Sequence, residues 1–399
     1  MPNSKSSNAQ QGRLALSDVR VADFSRLLPG PWAAQLFGDL GADVIKVEQP
    51  RTGDPSRHNA PFYRDSSAYF ESVNGNKRSI RLDIADAADL EIAKRLIAWA
   101  DVMIVSYRPG VAENLSLDYE AARAIKPGLI YCSITGFGHT GPLSAIPGHD
   151  LVVQAASGLM GGTLEDGLPL VPAFQAADYA AASTAAIGVL AALYRRRDTG
   201  EGCFLDLSMF DSLLAMLQVV MTGALSRSTG RQVSDLMEIW GKNPRYCTYK
   251  TKDGKAVAVA LLEKRLWDSF CRAIDRTDLI NASEDERHRT SGHKDHAERY
   301  RQVISDICLA HTRDELVTMM SRKNIPILPI NTPDEGIAQD HARERGMIEW
   351  IEHPTQGRIP QIESSLKSAG LTRPRSPAPA LDADREQILK DIGAVSARE

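Results

Sequence analysis

The stretch from Val19 to Glu48, VRVADFSRLLPGPWAAQLFGDLGADVIKVE, decides the fold. It opens on a short apolar run, VRVADFS, and turns at LLPG. It then passes through PWAAQLFGDLGA, with Pro31 at a helix start and Gly41 at its end, into a second apolar run, DVIKVE. Proline is preorganised for a first helical turn and glycine for the position just past the last one, so the reading is strand, helix, strand. Two strands joined through a helix lie parallel, because the crossover returns the chain to the end of the sheet from which it started.

The same alternation continues along the chain. KRSIRLDI, DVMIVSY and GLIYCSI predict strands, and DAADLEIAKRLIAWA and SLDYEAARAI predict helices. From Asp178, DYAAASTAAIGVLAALYRRRDTGEG predicts a long, largely buried helix whose basic end suits its C-terminal dipole, and CFLDLSM predicts the strand after it. A further helix is expected from about Asp211 to Ser226. The expected class is α/β, with a Rossmann-type large domain over residues 17–226 behind a polar tail at 1–16. Residues 227–244 are expected as a linker, and 245–330 as a small α+β domain. That domain opens on the hairpin RYCTYKTKDGKAVAVALLE, with Asp253-Gly254 at its turn, and includes the strand IPILPI. Residues 331–399 are expected to return and complete the large domain.

Composition narrows the function classes. The chain has 399 residues, 43% hydrophobic and 25% charged, enough to bury the cores of two domains. Lys+Arg 47 against Asp+Glu 51 leaves a net charge of −4 with no basic block, which argues against a nucleic-acid partner. MPNSKSSNAQQGR is a polar start, and no uninterrupted apolar run reaches the roughly 18 residues of a membrane span, so no membrane partner and a cytoplasmic location are expected. The five cysteines lack CxxC spacing and are expected as reduced thiols without a role. His288, His293 and His296 fall in the polar stretch SEDERHRTSGHKDHAER, read as a solvated helix start, so no metal is expected.

Four motifs carry candidate chemistry. GFGHTG (Gly136–Gly141) matches the dinucleotide spacing after a strand, but Pro142 stands where the phosphate-binding helix should run, so a glycine-rich substrate loop is the better reading. Asp178 sits in the first turn of the long helix, where the dipole and free backbone N–H groups should favour its ionised form. It is either a helix cap or a catalytic carboxylate, serving as a nucleophile on a thioester or a base on an α-proton. His149, in PGHD, is either a cap for the helix that follows or an acid/base group. Glu263, ending AVAVALLE, is either a surface carboxylate or a partner for such a histidine.

RLLPGPWAAQLFGDLGADVIKVEQPRTGD, VNGNKRSIRLDI, ADVMIVSYRPGV, PGHDLVVQAASGLMG and AADYAAASTAAIGVLAALYRRRDTGEG together resemble the family III CoA-transferase (CaiB/BaiF) superfamily. Its racemase branch acts on α-methylacyl-CoA. The resemblance covers roughly residues 17–217, with looser similarity to the C-terminus. It implies an interlocked homodimer that binds coenzyme A as acyl-CoA substrate, together with a small carboxylic acid, and holds no permanent cofactor. It implies that Asp178 attacks the thioester, giving a mixed anhydride and CoA thiolate. In the racemase branch the equivalents of His149 and Asp178 exchange an α-proton, and the equivalent of Glu263 orients the histidine.

CoA-binding positions implied by the resemblance are Arg26, Leu27, Leu28, Lys77, Leu82, Ser106, Tyr107 and Arg108. Ala85 and Asn114 replace a lysine and an arginine usual in the family, so Arg26, Lys77 or Arg108 is expected to make up the charge. His149 and Glu263 resemble the racemases. The segment LVVQAASGLMGG resembles the transferases, and Phe174 replaces an asparagine that racemases carry. The expected function is therefore CoA transfer through Asp178, with α-proton exchange by His149 and Asp178 as the alternative.

Overall fold

The computed structural model describes residues 13–162, 164–165, 168–230, 243–282 and 296–394. Most of the expected tail, most of the expected linker, and His288 and His293 lie outside the described residues.

The first unit is built on six parallel strands, β1 (Arg20–Asp23), β2 (Asp43–Glu48), β3 (Arg78–Arg81), β4 (Val102–Val105), β5 (Ile130–Thr135) and β8 (Cys203–Ser208). Their order is β3-β2-β1-β4-β5-β8, so the winding reverses between β1 and β4. This is the doubly wound order in which ligands bind beyond the carboxyl ends of the strands, at the reversal. The helices of this unit begin with α1 (Pro29–Asp39), α2 (Ala68–Asn74), α3 (Ala87–Trp99) and α4 (Val111–Asn114). They continue with α5 (Tyr119–Ile125), α6 (Asp150–Ala156), α7 (Ala176–Thr199) and α8 (Met209–Met216). The Val19–Glu48 stretch forms β1, α1 and β2 in parallel register, Val21 opposite Val44 and Ala22 opposite Ile45.

Helix α7 is long and apolar enough, by length and composition, to cross a membrane. Its alanines instead bury a face: Ala177, Ala181, Ala182 and Ala185 have no exposed surface. Small side chains let α1, β5 and β8 pack closely against it. The helix ends at Gly200, whose φ of 71° suits the residue past a helix C-terminus, and Arg196 ties that end to Asp101 at 3.1 Å.

Contacts divide the chain into this unit, drawn from residues 1–160, 171–216 and 340–399, and a second unit of residues 161–170 and 217–339. The chain crosses at Leu217, within the run expected as one helix over Asp211–Ser226. That run forms α8 and then α9 (Gln218–Arg227), broken at Leu217 with φ −84° and ψ 15°. No proline or glycine marks the break, so nothing local signals it. The chain returns at Asp340 rather than at residue 331.

The second unit carries the hairpin β6 (Leu164–Glu165) and β7 (Leu168–Pro169), too short to leave an alternating pattern in the sequence. Its main sheet is antiparallel, in the order β11 (Ile327–Pro329), β10 (Ala256–Ala260), β9 (Tyr246–Lys250). Helices α10 (Lys264–Ala273), α11 (Ala297–Ala310) and α12 (Arg313–Ser321) accompany it, and α13 (Pro333–Ile337) follows. A core around Trp267, Phe270 and Ile304 holds this unit together. The returning segment adds α14 (Asp340–Glu344), the hairpin β12 (Ile348–His353) and β13 (Gly357–Ile362), and α15 (Arg385–Asp391). Ile388 and Leu389 of α15 enter the same core as Ile80, Leu96 and Met103, and Arg375 reaches Asp39 at 3.0 Å.

Beneath the carboxyl ends of β1 and β2 lies a buried charge network. Lys46 and Lys77 are fully buried. The Lys46 ammonium reaches Asp54 at 2.8 Å, and Lys77 reaches Asp23 at 2.9 Å. Glu48 takes Arg57 in a two-pronged pair at 2.7 Å. Three carboxylates are thus matched by three cations. Burial opposes the charges of Asp23, Lys46, Glu48, Asp54 and Lys77, yet Lys77 and Lys46 hold the Asp23 carboxyl below its ordinary value, and Lys46 does the same for Asp54. Removing one partner of such a set leaves an uncompensated buried charge. Lys46→Met is expected to lower the stability of the first unit by about 3–5 kcal/mol in urea unfolding followed by far-UV circular dichroism. An unchanged midpoint would show that the network adds nothing.

Candidate active site

A cavity of about 760 Å³ opens at the reversal between β1 and β4, a size that suits a sizeable ligand. The loop after β1 lines it with Arg26, Leu27, Leu28 and Pro29. The loop after β4 contributes Ser106, Tyr107, Arg108 and Pro109, and Gly136, Gly148, His149, Tyr69 and Asp178 close the remaining sides.

The first loop is held by the charge network. Leu27 has a φ of 66°, unusual for a side chain of its size, and its N–H donates to both oxygens of Asp54 at 3.2 and 3.3 Å. The N–H of Arg26 donates to Ser106 Oγ at 3.0 Å, which joins the loops after β1 and β4. The Arg26 guanidinium lies 5.6 Å from the Tyr107 ring centre. Neither Arg26 nor Arg108 has a carboxylate partner among the described residues, so the cavity presents two unneutralised cations.

The glycines of GFGHTG shape a loop. A Cβ on Gly136 would come within 2.6 Å of the Cα of Gly148, so these two residues close the loop back-to-back. No helix N-terminus follows Gly141, and Ser144 and Ile146 from the loop line the cavity.

Two expected CoA contacts fall elsewhere. Lys77 does not line the cavity: its ammonium donates to Asp23, Pro31 O and Asn74 Oδ1 at 2.8–2.9 Å, which uses all three donors. Burial pulls its pKa down to about 8. Leu82 is fully buried in the core beside Ile80 and Leu96, so its side chain is unavailable to a ligand. Its place after a strand in the sequence could not distinguish a loop contact from a core residue. The cations left to compensate for Ala85 and Asn114 are Arg26 and Arg108. Glu263 belongs to the second unit, where it is the exposed residue before α10 and makes no side-chain cap.

His149 precedes α6, and its side chain makes no capping bond. The carbonyl of His149 accepts the N–H groups of Val152 and Val153, at 3.1 and 3.2 Å, and the residue lines the cavity. Asp178 stands in the first turn of α7, and no donor reaches its carboxylate among the described residues.

The expectation that the helix start favours ionised Asp178 is overturned. Burial first, and the Asp150 carboxylate second, push its pKa up to about 7. Asp150 Oδ1 already accepts the amides of Ala177 at 2.8 Å and Asp178 at 3.3 Å. Asp150 is therefore a site-forming residue that the sequence reading passed over, although it adjoins His149 in the same motif. Phe174 stacks on Tyr179 at 5.1 Å between ring centres, and Tyr179 meets the edge of Trp32 at 4.9 Å. Among the cysteines, burial pushes Cys132, Cys271 and Cys308 up to about 12, so these three are not nucleophiles near neutral pH.

The model of CoA-transferase family III matches residues 16–385, and the chain belongs to that family. It is 33% identical over 387 residues to the succinyl-CoA:glutarate CoA-transferase of Homo sapiens, covering 94% of this chain and 86% of that protein. It is 32% identical over 390 residues to the succinate–glutarate CoA-transferase of Agrobacterium fabrum, covering 95% and 96%. The crystal structure of a CaiB/BaiF family protein from Brucella suis matches with a TM-score of 0.81 at 29% identity, over 96% of this chain and 100% of that one.

The raised pKa of Asp178 has a consequence for stability. A carboxyl that binds its proton more tightly when folded loses stability as pH rises from its unfolded value to about 7. Above that pH the folded protein carries a buried, repelled charge. Asp178→Asn is expected to raise the melting temperature by about 2–4 °C at pH 8.5 and to leave it nearly unchanged at pH 4. Equal gains at both pH values would show that Asp178 titrates normally.

Proposed function

We propose that this chain, as a member of CoA-transferase family III, moves CoA from an acyl-CoA donor to a small dicarboxylic acid through a covalent intermediate on Asp178. One observation carries the reading: a carboxylate of raised basicity, without a donor among the described residues, shares a cavity with two arginines that have no carboxylate partner among them. The names of the relatives point to succinyl-CoA as donor and a dicarboxylate such as glutarate as acceptor.

An Asp178 oxygen attacks the thioester carbonyl, the C–S bond breaks, and a mixed anhydride forms as CoA leaves as a thiolate. The thiolate attacks the Asp178 carbonyl carbon, expels the donor acid as a carboxylate, and leaves CoA in thioester linkage to Asp178. The acceptor carboxylate attacks that thioester and regenerates an anhydride and a thiolate. The thiolate then collects the new acyl group and frees Asp178. Charge and oxygen balance at each step, and no water is consumed, so exclusion of water is required throughout. Arg26 and Arg108 supply positive charge to the anionic substrates.

The position of His149 in the same cavity keeps a second reading, in which His149 and Asp178 exchange the α-proton of an acyl-CoA. Phe174, stacked on Tyr179, argues for transfer, since the racemases carry a polar residue at that position. The resemblance also carries a homodimer. Ile187 and Tyr194 on α7 are strongly exposed, apolar surface that a second copy could cover.

Incubation with succinyl-CoA is expected to yield an Asp178 adduct, visible by intact mass and trapped by hydroxylamine, and turnover is expected only with an acceptor acid. Asp178→Ala should abolish the adduct and reduce transfer by on the order of 10⁴-fold. His149→Ala should retain measurable transfer. Deuterium uptake at the α-carbon without an acceptor, lost in His149→Ala, would establish the second reading instead.

A further inference from the structure

The residue that holds the start of α7 does not line the cavity. Asp150, the first residue of α6, directs Oδ1 to the amides of Ala177 and Asp178, at 2.8 and 3.3 Å. Its other oxygen takes a hydrogen bond from Gln154 Nε2, one turn along the same helix. Gln154 is buried, and the same nitrogen donates to Phe174 O at 2.9 Å, just before α7. Gln154 thus ties both the carboxylate and the segment leading into the helix, while its own Oε1 is buried without a partner among the described residues. A buried amide that leaves its oxygen unsatisfied is costly, and here its donor end is bound to Asp150 and Phe174.

We propose that Asp150 is a positioning residue for CoA transfer: gripped by Gln154, its carboxylate occupies the amides at the start of α7, fixing Asp178 in place with a second negative charge beside it. The inference rests on the reading of Asp178 as nucleophile. Free amides at a helix start would otherwise lower the basicity of a carboxylate in the first turn. With Asp150 already bound to them, Asp178 keeps a high proton affinity, and a more basic carboxylate is a stronger nucleophile toward a thioester. The raised pKa of Asp178 has burial as its first cause and Asp150 as its second. The other groups facing it are His149 before α6, Tyr69 on α2, Tyr179 on α7 itself, and Arg26 and Arg108 across the cavity. Acylation transfers the charge of Asp178 to the departing thiolate. Repulsion by Asp150 therefore raises the energy of the free carboxylate and disappears in the anhydride.

The test compares the full-length protein with two variants. Asp150→Asn keeps an oxygen for the two amides and removes the charge, and Gln154→Met removes the grip and keeps the charge. The rate of hydroxylamine-trappable adduct formation from succinyl-CoA is measured from pH 5 to 9. In Asp150→Asn the acid limb is expected to move down, and the rate above it to fall several-fold. In Gln154→Met the rate falls with the limb unmoved. Asp150→Ser, which also offers an oxygen without charge, repeats the comparison should the asparagine variant not fold. A limb that stays in place in folded Asp150→Asn overturns the proposal.

Melting of the ligand-free protein supplies a second readout. At pH 8.5 the gain from Asp178→Asn should be smaller in the Asp150→Asn background than in the wild type. Equal gains overturn the proposal. This readout needs no turnover, so it survives a failure of the transfer reading, whereas an Asp178 adduct with an unmoved limb defeats only the role assigned to Asp150.

Discussion

Lys46 bound to Asp54 is the contact on which the site depends. Both side chains are fully buried, and the ion pair at 2.8 Å joins the last part of β2 to the loop that follows it. Asp54 then turns its oxygens to the amide of Leu27, holding a backbone that a leucine would not adopt unaided. In the same network Lys46 also donates to Ser25 O at 3.1 Å, so the loop after β1 is held from two directions. Arg26 reaches the cavity because the residues on either side of it are fixed. A buried ion pair adds little net stability compared with a well-packed apolar core, and its value here is that it specifies one loop conformation.

The cavity follows from sheet topology as much as from side chains. The order of the strands reverses between β1 and β4, which parts the loops that follow them and opens a crevice. The Arg26 amide bonded to Ser106 Oγ bridges these loops at its base. The start of α7 and the α6 segment form another wall, and there two carboxylates lie close together with different tasks. Asp178 faces the cavity and has no donor among the described residues, whereas Asp150 is bound to backbone amides. A satisfied carboxylate behind an unsatisfied one adds to the proton affinity of the group that faces the cavity.

Much of this architecture was legible in the chain. Proline and glycine bracketed α1, apolar runs marked each of the six parallel strands, amphipathic stretches marked α3 and α5, and the alanine-rich run from Asp178 became α7, whereas α2 between β2 and β3 was not read. These are local signals, and local sterics and periodicity carry them. The break at Leu217 was not legible, because no residue there disfavours a helix. Asp178 and His149 were readable as candidates, and the structure brings them to one cavity together with Arg26, Leu27, Leu28, Ser106, Tyr107 and Arg108. Lys77 and Leu82 were not distinguishable from ligand contacts, since the residue types that bind a nucleotide or its phosphates also serve in a core and a buried ion network.

The sequence by itself determined the fold class, the six parallel strands in their order along the chain, and the residue types available for chemistry, because these are written in spacing and pattern, while its motifs carried the resemblance to the family. Only the tertiary structure decided how those residues behave. Lys77 became structural when three acceptors closed around it. Asp178 took a pKa of about 7 when burial removed its water and the Asp150 charge came beside it, bound to the amides at the start of its helix. Desolvation and competition for donors depend on which atoms meet across distant parts of the chain, and local sequence does not record them.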